Sequence, residues 1–96
     1  MYQILWTPLA QSSYQQILNF TLEQWSITTV IELDHEVQKL LEKLENHQSL
    51  CPPIGENKDV RKCVISKQTS LLYRIQQDTQ MIELITFVDN RANHQF

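Results

Sequence analysis

Three arginines, Arg61, Arg74 and Arg91, recur through the last third of the chain, and Lys62 stands beside the first. Each follows or sits in a short apolar run. The runs are VRKCVIS over 60–66, SLLYRIQ over 70–76 and MIELITFV over 81–88, and Asp89-Asn90-Arg91 comes directly after the last. A guanidinium presents a planar fork of donors that fits phosphate or carboxylate bidentately. An antiparallel meander carrying three of them would form a surface for anionic or carboxylate-bearing matter.

Each group also has a plainer reading. Arg61-Lys62 could guard a strand end. Arg74 lies in mid-strand, where an unpaired charge is costly unless exposed; it could pair with Asp89 or Glu83, or face a groove. Asp and Asn favour turns, so Asp89-Asn90-Arg91 could turn the chain, or Arg91 could project beside Arg74. Tyr73 reads as core. His94 reads as a surface residue of the short tail 92–96 before it reads as a catalytic base.

Other chemistries find little support. Cys51, beside Pro52-Pro53, and Cys63, within a strand, make no disulfide framework. They are expected as reduced structural thiols in a reducing compartment. His35, His47 and His94 are scattered, and no CxxC or HxxxH spacing points to a metal site. No Ser-His-Asp pattern or glycine-rich phosphate loop is present, and no cofactor is expected.

The formal net charge of −3 is unevenly distributed. Residues 1–57 hold seven acids against two lysines, whereas residues 58–96 hold six bases against four acids. The overall balance speaks against general nucleic-acid binding, which rests on many phosphate contacts, so no stable direct DNA binding is expected. The split allows a local basic patch on an acidic body. No run approaches the ~18 apolar residues of a membrane span. The N-terminus MYQILWTPLAQ lacks a basic, long-apolar leader pattern, so a cytoplasmic location is expected.

The elements that must position these residues are legible. The 96 residues fit one domain, 1–96. Tyr2 to Trp6 reads as a strand. Thr7-Pro8 is an N-cap followed by Pro at the first helical position. A helix over roughly 8–24 carries the stripe Ala10, Tyr14, Ile17, Leu18, Thr21, Leu22 and Trp25. A Trp25-Ser26-Ile27 junction follows. Thr29 and Glu32 fit a capping box for a second helix over 29–47, with the stripe Val30, Leu33, Val37, Leu40, Leu41 and Leu44. A loop over 49–57, with Pro52, Pro53 and the single glycine Gly55, leads to the three strands. Their connections of three and four residues suit hairpins.

The expected fold class is therefore α+β in the order β-α-α-β-β-β, with a helical hairpin on one face of a mainly antiparallel four-stranded sheet. Alternation puts Leu71, Tyr73 and Ile75 on one face and Leu72 and Arg74 on the other, the first set toward the helices. Arg61 shares a face with Cys63, and Lys62 with Val60 and Val64. Sequence alone leaves open which of these faces the helices, because a one-residue slip exchanges them.

Taken in order, these motifs resemble the RelE/ParE superfamily of type II toxin–antitoxin toxins, and the ParE-like branch most. The likeness runs from the strand at Tyr2–Trp6 through Trp25-Ser26, Leu44–His47 before Pro52-Pro53, and Arg61-Lys62-Cys63-Val64-Ile65. It continues in Ser70-Leu71-Leu72-Tyr73-Arg74-Ile75, Ile82-Glu83-Leu84-Ile85 and Asp89-Asn90-Arg91. The resemblance implies a small α+β toxin neutralised by a cognate antitoxin, usually encoded beside it. The antitoxin or target would meet Arg61, Lys62, Leu72, Arg74 and Arg91. RelE-type members cleave mRNA on the ribosome with a Lys/Arg cluster and a C-terminal Tyr or His. ParE-type members act by binding, in characterised cases on DNA gyrase. Here no tyrosine follows Tyr73. A nuclease would have to use Arg61, Arg74 and Arg91 with His94 as acid, because cleavage needs proton transfer as well as charge stabilisation. The expected activity is therefore growth inhibition by binding. The alternatives are a ribosome-dependent mRNA endonuclease and a folded relative that poisons nothing.

Overall fold

The computed structural model describes residues 1–90. Arg91 and His94 lie outside the described residues. The elements are β1 (Gln3–Trp6), α1 (Pro8–Gln24), α2 (Ile27–Asn46), β2 (Pro53–Ile54), β3 (Asn57–Val64), β4 (Thr69–Gln76) and β5 (Met81–Asp89).

Helix α1 starts where the sequence places it. The Thr7 hydroxyl accepts from the Ala10 amide at 3.1 Å and donates to the Leu84 carbonyl at 2.6 Å. One side chain thus caps the helix and fastens it to β5. Helix α2 starts earlier than the expected capping box at Thr29. Ser26 is extended, and its hydroxyl accepts from the Thr29 amide at 3.2 Å. Serine caps at least as well as threonine, so the earlier residue takes the role and the hairpin turn shrinks to Trp25 and Ser26.

The sheet has five strands in the order β1-β5-β4-β3-β2. Strand β1 runs parallel to β5, an arrangement the helical hairpin makes possible as the crossover, and the other pairs are antiparallel. The fifth strand departs from the expected four. Pro53 and Ile54, placed in a loop by sequence, add an edge strand against β3. Proline is tolerated there because an edge strand has a side that needs no N–H donor. Gly55, at φ 60°, opens the two-residue turn back into β3.

Both helices pack on one face of the sheet. The core joins Ala10, Tyr14 and Ile17 of α1 and Val37, Leu41 and Leu44 of α2 to Leu71, Tyr73, Ile75, Ile82, Leu84 and Phe87. Trp6, Tyr14 and Phe87 cluster with ring centroids 4.7–5.7 Å apart, a spacing at which aromatic pairs add to plain area burial. The α1 stripe is narrower than expected. Thr21 is buried, but Leu22, one residue on, and Trp25, the C-cap past the end of the helix, are 51% and 60% exposed.

The cysteines differ most from expectation. Cys51 and Cys63 form a disulfide, with their Cα atoms 5.2 Å apart. The loop after α2 turns back along β3, where the Lys62 amide donates to the Pro52 carbonyl at 3.1 Å. That contact brings together two residues 12 positions apart, a proximity that their spacing alone does not encode.

Candidate functional site

The sheet has one face under the helices and one face that no described element covers. Register settles which side chains occupy the open face, because residues directly opposed across strands point the same way. Val60 opposes Arg74, Arg74 opposes Glu83, and Leu5 lies beside Glu83. In the neighbouring row Lys62 opposes Leu72 and Leu72 opposes Thr86. Val64, Ser70 and Val88 form a third row. Between the first two rows Ile85 is an extra residue in β5, a bulge that locally increases twist.

Lys62, Leu72 and Arg74 therefore share the open face, with Lys62 and Leu72 half-buried and Arg74 exposed. The Arg74 guanidinium lies 3.6 Å from the Glu83 carboxylate, whose same oxygen accepts from the Gln76 amide at 3.1 Å. Arg74 thus has the acidic neighbour that its mid-strand position demands, yet half of its side chain stays in contact with solvent.

Arg61 is not on that surface. It opposes Tyr73, whose side chain is fully buried beneath the helices. Arg61 turns to the helix side of the sheet edge and donates to three backbone carbonyls: Lys58 at 3.1 Å, Ser49 at 3.3 Å and Cys51 at 2.8 Å. The single guanidinium-lined surface expected for Arg61 and Arg74 is not formed, because adjoining rows of the sheet send the two side chains to opposite faces.

Tyr73 completes this loop anchor. Its hydroxyl donates to the Gln48 carbonyl at 2.6 Å. Burial pushes its pKa upward, against the opposing pull of the Cys51 backbone and the Arg61 charge. Sequence reasoning placed Tyr73 in the core but missed this role; the long polar tip of a core residue was the available signal. A second tyrosine, Tyr14, ties α1 to α2 through a 2.5 Å hydrogen bond from its hydroxyl to Asp34. Among the described residues no group of three or more His, Cys, Asp or Glu is placed to hold a metal ion, and no helix is long and apolar enough to cross a membrane.

A helical hairpin packed on one side of a mixed sheet whose other side no described element covers is the RelE/ParE toxin fold. Solved structures share it over nearly their whole length. A chromosomal ParDE system protein of Pseudomonas aeruginosa superposes with a TM-score of 0.72 at 13% identity, covering 93% of this chain and 96% of that one. A YoeB/ParE toxin of Agrobacterium tumefaciens gives 0.63 at 14% identity over 91% and 97%. The isolated Escherichia coli RelE toxin gives 0.61 at 18% identity over 93% and 84%. No curated protein matches the sequence. The family model of the ParE toxin of type II toxin–antitoxin systems matches residues 4–94. The chain belongs to that family.

Proposed function

We propose that the chain arrests growth by binding a cellular target, DNA gyrase as in ParE-type proteins, and that a cognate antitoxin neutralises it. The observation that carries this reading is the open sheet face of a ParE-family chain. Leu72 and its apolar neighbours supply area for desolvated contact, and Lys62 and Arg74 supply donors for a partner's carboxylates. An antitoxin segment with acidic and apolar residues fits that mixture, laid along the strands or as an amphipathic helix.

The Arg74–Glu83 pair supports binding over catalysis. A carboxylate 3.6 Å from the guanidinium offsets the positive field that a scissile phosphate would need. The described tyrosines also serve elsewhere: Tyr73 is bound to Gln48 and Tyr14 to Asp34. A RelE-type nuclease would instead rely on Arg74 with Arg91 and His94. This reading puts the chain in the cytoplasm, where either target resides.

Controlled expression with and without the neighbouring small gene tests the proposal. The expected result is growth arrest, relieved by the partner gene, with intact cellular mRNA and loss of DNA supercoiling by purified gyrase. Ribosome-dependent mRNA cleavage, abolished by His94→Ala, would replace this reading with the nuclease. Normal growth at high soluble expression would remove both.

A further inference from the structure

We propose that Cys51 and Cys63 form a reversible thiol–disulfide site, with Cys51 as the sulfur that first reacts with a low-molecular-weight disulfide of the glutathione class. The inference stands independently of how the chain arrests growth.

Reversibility is argued from what holds the loop besides the sulfur bond. Tyr73 donates to Gln48 at 2.6 Å, Arg61 to Ser49 and Cys51, and the Lys62 amide to Pro52 at 3.1 Å. These contacts bracket Cys51 on both sides in sequence. Reduction removes one covalent link and leaves them in place. The two thiols then stay apposed, so closing the bond again costs little loop entropy. Such a pair re-forms its bond after reduction, whereas the thiols of a disulfide that alone held its loop would scatter.

The order of attack follows from position. Cys63 lies within β3 and is 2% exposed, whereas Cys51 lies in the loop and is 8% exposed beside the half-exposed Leu50. A surface depression is lined by the four residues that precede Cys51 in the chain, His47, Gln48, Ser49 and Leu50. The Arg61 guanidinium, bound to the Cys51 carbonyl at 2.8 Å, holds the loop backbone at that residue. The Cys51 thiolate attacks one sulfur of the small disulfide and expels one small thiolate. The Cys63 thiolate then attacks the Cys51 sulfur of the mixed disulfide and expels the second. Two protein thiols lose two electrons and two protons, and the small disulfide gains them as two thiols.

Oxidation also acts on a groove. Leu50 adjoins Cys51 and Val64 adjoins Cys63, and both line the depression between α2 and β3 with Leu40 and Ile65. The bond fixes the two walls relative to each other.

The test is a redox titration of the full chain with reduced and oxidised glutathione, native and in urea, read by alkylation and peptide mass. The expected result is an effective thiol concentration on the order of 100-fold higher in the native chain. Oxidation should raise Tm by on the order of 10 °C. The native reduced chain should be alkylated first at Cys51. The Cys63→Ser variant should accumulate a glutathione adduct on Cys51, and Cys51→Ser should form little on Cys63. Equal effective concentrations in native and unfolded chain would overturn the reversible site, as would a bond that millimolar reduced glutathione leaves intact. Faster labelling of Cys63 in the wild-type chain would overturn the assigned order, whether or not the variants fold.

Discussion

Arg61 and Arg74 stand on opposite faces of the sheet, Arg61 across from buried Tyr73 and Arg74 across from Val60. One arginine is spent on the architecture and the other is presented. Arg61→Ala should therefore cost stability, about 2 kcal/mol, because three carbonyls lose a charged donor. Arg61→Lys should recover only part of it, since an ammonium cannot span the same set of acceptors. Urea unfolding of the three proteins checks this.

Arg74→Ala should change stability by less than about 1 kcal/mol, because its pair with Glu83 is 3.6 Å long and half of the Arg74 side chain is in solvent. Its effect is expected in binding of the partner gene's product. A stability loss as large as that of Arg61→Ala would mean that Arg74 is structural after all.

Much of this division was legible in advance and part of it was not. Alternation in β4 separated Leu71, Tyr73 and Ile75 from Leu72 and Arg74, because a central strand shows its buried side plainly. Thr7-Pro8 marked the start of α1 for the same local reason. The face of β3 was undetermined: Arg61, Cys63 and Ile65 look no more apolar than Val60, Lys62 and Val64. Only pairing with β4 decides it. The β2 edge strand, two residues long, carries too little pattern to read, and the disulfide depends on a chain reversal made by backbone hydrogen bonds.

Alkali should unfold the protein through its tyrosines. Burial, then the Asp34 hydrogen bond and charge, hold the Tyr14 hydroxyl well above its ordinary value of 10.0, and burial raises Tyr73 too. A raised folded-state pKa gives stability that is complete below the unfolded value and declines as pH climbs past it. Tm should therefore be flat from pH 8 to about 9.5 and fall above 10. Tyr14→Phe should have a lower Tm at pH 8 and a shallower alkaline fall; an equally steep fall would remove Tyr14 from the explanation.

Gln80 occupies the β4–β5 turn at φ 55°, a conformation that costs a residue with a Cβ on the order of 1 kcal/mol. Gln80→Gly should stabilise by about 0.5 kcal/mol, since the relief exceeds the added chain entropy of glycine only slightly. The Gln80 carbonyl that accepts from the Gln3 amide at 3.1 Å is retained. Thermal unfolding with a lower Tm for the variant would contradict the strain.

The open face is most directly tested by a triple substitution to acid, Lys62→Glu, Leu72→Glu and Arg74→Glu, in the growth-arrest assay. Circular dichroism and Tm should confirm the fold. The expected result is a folded, well-expressed protein that no longer arrests growth and no longer binds the partner gene's product. Undiminished arrest by that folded variant would place the working surface elsewhere and contradict the account.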